Sequence, residues 1–170
     1  YFLQIIREKR TYFMIIYLKI FLVTTLFHIS LFAHCQIPCG IYSDAMQIIQ
    51  IREDLNTIEK AMRMINDLSG KLDPQTLNQI SRWINTKEEH AQNIQDIISN
   101  YFLTQRVKQS SKNYENELIT LHQLLVSVMK CKQSVDQENV KNSNKLLDDF
   151  SEFYFDEHGV DHLKKLQSDS

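Results

Sequence analysis

Apolar side chains recur at intervals of three and four residues along two long stretches, and this spacing predicts α-helices with one buried face. The 170 residues include only 3 Gly and 2 Pro, so few positions favour a break in a helix. The first series is Ile48, Ile51, Leu55, Ile58, Met62 and Ile65. The second is Leu77, Ile80, Ile84, Ala91, Ile94, Ile98 and Tyr101, with Lys87 in the place of one apolar residue.

Two shorter series follow and predict a third and a fourth helix. They are Tyr114, Leu118, Leu121, Leu125 and Val128, and then Val140, Leu146, Leu147, Phe150 and Phe153 or Tyr154. Residues suited to begin a helix are Ser43 or Asp44, Asp73 followed by Pro74, and Ser134 or Asp136. Residues 66–72 and 104–113 are predicted connections. We therefore predict an all-α fold, an antiparallel up-down four-helix bundle over residues 43–155 followed by a polar tail at 156–170.

Residues 1–33 have the features of a leader that is removed on maturation. With Met14 as its start, Lys19 precedes an apolar run of 14 residues, which is typical of a signal-peptide core and short for a membrane span. Ala33 is a suitable small residue before a cut, whereas Leu31 departs from the usual pattern. The product is then exported or periplasmic, or cytoplasmic if a dedicated peptidase cuts. An uncleaved membrane anchor is the alternative.

Charge and cysteine content exclude two classes of protein. The net charge is −2, and residues 34–170 contain 15 basic and 20 acidic residues. This balance argues against a nucleic-acid-binding protein, which presents a basic face. Three cysteines are an odd number and do not form a disulfide framework.

The segment HCQIPCGIY, residues 34–42, concentrates metal-binding groups and is called the hook below. A cut before His34 gives it a free amine beside its imidazole. The amide and thiol of Cys35 follow along the chain, so one metal closes two fused five-membered rings. The proline and glycine that flank Cys39 favour a turn that returns its thiolate to the same metal. Two nitrogens and two sulfurs in a plane favour Ni(II) or Cu(II) over tetrahedral zinc.

The pattern HCxxPCGxY at a processed N-terminus resembles the hook of the nickel superoxide dismutase family. The resemblance continues through residues 57–62, 87–91 and 100–102 and covers roughly residues 34–150. It implies an enzyme that disproportionates superoxide to O2 and H2O2, with a nickel ion in each subunit that alternates between Ni(II) and Ni(III). It also implies a homohexamer of four-helix subunits, and the leader implies a maturation peptidase.

Carried over residue by residue, the resemblance implies three nickel ligands. His34 supplies its amine and imidazole, Cys35 its amide and thiolate, and Cys39 its thiolate. Tyr42 is expected beside the open face of the metal, where it shapes access and orders water. Tyr101 resembles a second family tyrosine near the same entrance.

The resemblance fails at the groups expected to hold the axial imidazole. Some family members use a glutamate on the first helix and an arginine on the second. The corresponding positions here are Gln50, with Glu53 one turn later, and a position near His90, so neither matches. Lys87 and Lys60 are candidates for local attraction of the anion. For Lys87 we favour a side chain that extends along its stem to solvent, and a charge kept near a site is the alternative.

A competing interpretation is an exported helical binding module in which Cys35 and Cys39 form a local disulfide. His34 at the cut site discriminates between the two, because a disulfide loop needs no histidine there. Outside the hook, packing or solvated roles are expected for Cys131, His122, Trp83, His158 and His162.

Overall fold

The computed structural model describes residues 13–19, 43–71 and 73–168. Every regular element in these ranges is a helix, and none of them contains a strand. The all-α prediction is therefore confirmed for this part of the chain. The hook and most of the predicted leader lie outside the described residues.

The chain divides into two units, Tyr1–Ile37 and Pro38–Ser170. In the first unit, residues 13–19 form a short helix. Five of its large apolar side chains are exposed, at Phe13, Met14, Ile15, Tyr17 and Leu18. Within the described ranges, no helix combines the length and the apolar character needed to cross a membrane.

The described part of the second unit contains five α-helices and one π-helix. They are α1 (Asp44–Leu68), α2 (Pro74–Asp96), the π-helix (Ile97–Arg106), α3 (Tyr114–Gln133), α4 (Glu138–Tyr154) and α5 (Glu157–Ser168). Helix α1 packs against α2 and α4, and helix α3 packs against the same two helices. These four helices therefore surround one common core, and α5 packs on α1.

Most of the core is built from the apolar faces that the sequence spacing predicts, but Phe102 and Leu124 lie outside the predicted series, and Leu125 of that series is only partly buried. Ile48, Ile51, Leu55, Ile58 and Met62 of α1 are completely buried, as predicted. Each such side chain stabilises the folded state by about 1.5–3 kcal/mol relative to exposure. The other helices contribute Ile94, Ile98, Phe102, Leu121, Leu124, Val128, Val140, Leu147 and Phe150 to the same cluster.

Helix starts follow the predicted residues to different degrees. Asp73 begins α2 as predicted, because its Oδ1 accepts a hydrogen bond from the backbone N–H of Thr76 at 3.0 Å. The hydrogen bonds from Thr76 lower the pKa of the Asp73 carboxyl. Ser43 occupies the cap position of α1 without a side-chain capping bond. Asp136 accepts a hydrogen bond from the N–H of Glu138 at 3.0 Å, where α4 begins.

The apolar series of α2 is buried only in its C-terminal half. Ala91 and Ile94 are completely buried, whereas Leu77 and Ile84 are 48% and 40% exposed. The prediction of one continuous buried face is therefore wrong for the first turns of α2. The reason is that α3 ends beside Lys87, so the earlier turns of α2 extend past the neighbour that covers the later ones.

The predicted loop at residues 104–113 begins later than expected. The helical run that starts as α2 continues as a π-helix to Arg106. In this form a residue bonds to the carbonyl five positions earlier, as Val107 N–H does to Phe102 O at 2.9 Å. Polar side chains reinforce the same spacing, since Thr104 Oγ1 donates to the carbonyl of Ser99 at 2.6 Å. These bonds explain why a polar sequence stays helical here.

The segment that the sequence marks only as a polar tail contains helix α5. Leu163 on this helix is buried in the core cluster. His158 and His162 are exposed, as predicted. The apolar positions of this segment therefore suffice for a helix that packs on the body of the protein.

Candidate functional site

Of the predicted site residues, His34, Cys35, Cys39 and Tyr42 lie outside the described residues, and Tyr101 lies within them. The described ranges hold no group of three or more His, Cys, Asp or Glu side chains able to bind a metal ion. The hook fits nickel by its donor chemistry, because two thiolates, an amine and an imidazole are ligands that late transition metals bind.

A cluster around Asp44 lies immediately after the hook in sequence. The Oδ1 atom of Asp44 accepts hydrogen bonds from the Tyr101 hydroxyl and from Nε of Arg106, the latter at 2.6 Å. Nη2 of Arg106 lies 2.6 Å from the same oxygen. The Tyr154 hydroxyl donates to Oδ2 at 2.8 Å. One carboxylate at the start of α1 therefore binds side chains from the π-helix and from the end of α4.

The π-helix is the reason why Tyr101 and Arg106 lie side by side. Positions five apart on an α-helix point about 140° away from each other. In the π-helix they are neighbours: Nε of Arg106 lies 3.0 Å from the Tyr101 hydroxyl, and its guanidinium lies 5.1 Å from the ring centre. The local helix type thus assembles half of the Asp44 cluster.

Both tyrosines of this cluster are held in the protonated form. Burial and the hydrogen bond to Asp44 raise the pKa of Tyr101 to about 12. The same two causes raise the pKa of Tyr154 above its ordinary value. Each hydroxyl proton is donated to Asp44, so neither side chain is a ready proton donor to a reacting group.

A second polar cluster surrounds the buried carboxylate of Asp54, which is 1% exposed. Nδ1 of His90 lies 2.6 Å from Oδ1, and Nδ2 of Asn93 donates to Oδ2 at 2.6 Å. Nε2 of Gln50 donates to Oδ1 at 3.4 Å. Because a carboxylate accepts hydrogen bonds, Nδ1 of His90 is the donor in this contact.

Asp54 is a residue that the sequence analysis missed. Gln50 and His90 were compared separately with the family pattern, and neither matched it. In the fold both contact Asp54, so the two positions belong to one network. The available signal was an acidic residue directly beside Leu55 in the buried series of α1.

Lys87 is buried, and the prediction of a side chain that extends to solvent is wrong. Its Nζ atom donates to the backbone carbonyls of Cys131 and Lys132, at 2.8 and 2.5 Å, and to Glu88 at 2.7 Å. The ammonium group of Lys87 therefore donates hydrogen bonds to these three oxygens and is not a free charge that attracts an anion. Lys60 is exposed, and its Nζ lies 5.9 Å from the ring centre of Trp83.

Cys131 packs in the core, as predicted. Burial raises the pKa of its thiol, so the reactive thiolate form is disfavoured. The hydroxyl of Ser143 lies 3.9 Å from its Sγ atom. Cys131 therefore differs in environment from a metal-binding cysteine.

Comparison with known proteins gives one match. The model of the family described as nickel-containing superoxide dismutase matches residues 30–158. Searches of curated proteins and of solved structures found no match. The matched region covers most of the chain, including the hook and the clusters around Asp44 and Asp54. The chain therefore belongs to the nickel-containing superoxide dismutase family, which makes it an oxidoreductase with nickel as its expected cofactor.

Proposed function

We propose that the processed chain disproportionates superoxide at a nickel ion held by its N-terminal hook. Two superoxide anions and two protons give one O2 and one H2O2. The observation that carries this proposal is the complete pattern HCxxPCGxY, which lies inside the region matched by the family. The free amine created by the cut is part of the donor set, so removal of the leader is a step of maturation and not only of targeting.

Three residues of the hook are the proposed nickel ligands. With nickel bound, His34 would supply its amine and its imidazole, Cys35 an amide nitrogen and a thiolate, and Cys39 a second thiolate. When bound, nickel supplies a one-electron cycle between Ni(II) and Ni(III), which thiolate donors bring within biological range. These residues would hold the ion through nitrogen and sulfur donors.

Tyr42 and Tyr101 are proposed to line the approach to the metal. Tyr42 would shape the access of the small anion. Tyr101 contributes a fixed ring edge, because its hydroxyl is bound by Asp44 and its ring meets Phe102 edge to face at 5.2 Å. Because the hydroxyl of Tyr101 donates its hydrogen bond to Asp44, Tyr101 orders the approach of the anion to the metal and does not deliver a proton.

Local positive charge is the remaining means to attract the substrate, because residues 34–170 are acidic overall. Lys60 is the surviving candidate. We expect Lys60→Gln to lower the bimolecular rate at low ionic strength and to leave it unchanged at high ionic strength, where charges are screened over about 3 Å at 1 M. An equal effect at both ionic strengths would exclude steering by Lys60.

The subunit is proposed to be an antiparallel up-down four-helix bundle formed by α1, α2, α3 and α4. The alternating contacts of these helices support this arrangement. A homohexamer is proposed for the assembly. The exposed apolar residues Leu77 and Ile84 supply a surface of the kind that a subunit contact covers.

Maturation requires a peptidase that cuts before His34. We propose an exported or periplasmic product if this peptidase is a signal peptidase, and a cytoplasmic product if it is a dedicated enzyme. The N-terminal residue of the protein purified from each compartment tests both statements.

The decisive experiment compares two processed forms of the chain. One begins at His34, and the other keeps a single residue before it. Both are loaded with nickel, and superoxide decay is followed directly. We expect activity only in the form that begins at His34, because an added residue displaces the amine ligand. Full activity in both forms would contradict the proposed ligand set.

Cysteine variants separate the enzyme from the disulfide alternative. Cys35→Ser and Cys39→Ser should abolish activity and the thiolate-to-nickel absorption, whereas Cys131→Ser, at a buried packing thiol, should retain both. A disulfide module predicts instead that no change in the spectrum follows nickel addition. Absence of activity, together with an unchanged spectrum in the two hook variants, would reject the enzyme.

A further inference from the structure

The carboxylate of Asp44 joins three helices two residues after the hook ends. Asp44 is the first residue of α1, and Tyr42 is the last residue of the hook. Its Oδ1 receives Tyr101 and Arg106 from the π-helix, and its Oδ2 receives Tyr154 from the end of α4. Both oxygens are therefore used by side chains of other elements.

An acidic residue at the start of a helix does not need hydrogen-bond partners on other helices. An acid in the first turn is already favoured by the positive end of the helix dipole. The Asp44 side chain instead points away from its own helix, towards partners 57 to 110 residues later in the chain. It is 23% exposed, so its charge-assisted hydrogen bonds are partly shielded from water. Bonds to three side chains of other elements fix where α1 begins.

We propose that Asp44 is a positioning residue for the nickel hook. This inference rests on the proposed function. Asp44 acts through two connections at once: it fixes the first residue of α1, two residues after the hook in sequence, and it holds the hydroxyl of Tyr101, the tyrosine proposed to line the approach to the metal. It contacts neither nickel nor superoxide in this role.

The test compares two aspartates that each pair with an arginine. Asp44→Asn weakens the cluster, and Asp148→Asn weakens the ion pair between Arg52 and Asp148, which has the same 2.6 Å length and lies away from the hook in sequence. Both variants are made in the processed, nickel-loaded chain. Helical content, bound nickel, the thiolate-to-nickel absorption and superoxide decay are measured for each.

We expect Asp44→Asn to fold and bind nickel but to show a shifted absorption and a loss of activity of about tenfold or more, because small misplacements of reacting groups have large effects. Asp148→Asn should match the parent protein in both measurements. A parent protein without activity would reject the proposed function itself. An active parent protein, with unchanged spectrum and rate in Asp44→Asn, would overturn the positioning role alone.

Tyr154→Phe keeps the test decisive if Asp44→Asn does not fold. It removes only the hydrogen bond to Oδ2 and leaves the ring in its contacts with Phe102 and Phe150. A shifted nickel absorption in this folded variant would support the positioning role, because Tyr154 is linked to the start of α1 by its hydrogen bond to Asp44. A spectrum and rate equal to those of the parent protein would overturn it.

Discussion

The Nζ atom of Lys87 lies 2.8 Å from the backbone oxygen of Cys131, so a buried ammonium group of α2 binds the C-terminal end of α3. The last carbonyls of a helix lack partners within it and carry partial negative charge. Lys87 supplies both the missing donor and the opposite charge. The lysine that interrupts the apolar series of α2 thus connects α2 to α3.

Lys87→Met keeps an unbranched side chain, one atom shorter, but removes the donor. We expect it to lower the free energy of unfolding by about 2–3 kcal/mol, because the buried carbonyl of Cys131 and the partly buried carbonyl of Lys132 lose their donor. Urea unfolding measures this change. Lys60→Met is the matched control, expected to cost at most about 1 kcal/mol through its contact with Trp83. Equal changes in the two variants would contradict the capping role.

Asp54→Ala should lower the free energy of unfolding by about 2–4 kcal/mol, because His90 and Asn93 lose their shared buried acceptor. The control is Asp148→Ala, which breaks a more exposed pair with Arg52 and should cost at most about 1 kcal/mol. Both values come from urea unfolding. A smaller effect for Asp54 than for Asp148 would show that the buried network contributes little.

Stability should fall at alkaline pH through Tyr101. Its pKa is about 12 in the folded protein and 10.0 in the reference state, so the folded protein holds this proton more tightly. The resulting stabilisation is complete below pH 10 and is lost as the pH rises towards about 12. Unfolding measured across this range should show a shallower decline in Tyr101→Phe than in the parent protein. Parallel declines would place the responsible group elsewhere.

Phe102 is the aromatic centre of the core, with ring contacts to Tyr101, Phe150 and Tyr154. Phe102→Ala should cost about 3–5 kcal/mol, because it leaves a cavity that the neighbouring rings cannot fill. Ile119→Ala, at a position 55% exposed, should change stability by about 0.5 kcal/mol or less. Thermal and urea unfolding test both. A well-tolerated Phe102→Ala would indicate that the core relaxes around the gap.

Local spacing was sufficient to predict much of the helical fold. The series from Ile48 to Met62 is buried as predicted, because a period of 3.6 residues brings these positions to one face whatever the partner is. Asp73 and Pro74 begin a helix for an equally local reason, a hydrogen bond that spans three residues. The exposure of Leu77 and Ile84 was not predictable in this way, because it depends on where another helix ends.

The sequence by itself determined the donor chemistry of the hook, since amine, imidazole and thiolates follow from residue types and their order at His34, Cys35 and Cys39. It also determined the family and the all-α class. Only the tertiary structure decided the partners of Asp44, Asp54 and Lys87. Their hydrogen bonds to other helices join residues 36 to 110 positions apart, as between Asp54 and His90 or Asp44 and Tyr154. Such pairs leave no periodic signal in a single sequence, because residues far apart in the chain can meet at any spacing. Positions on one face of a helix, in contrast, recur every three or four residues.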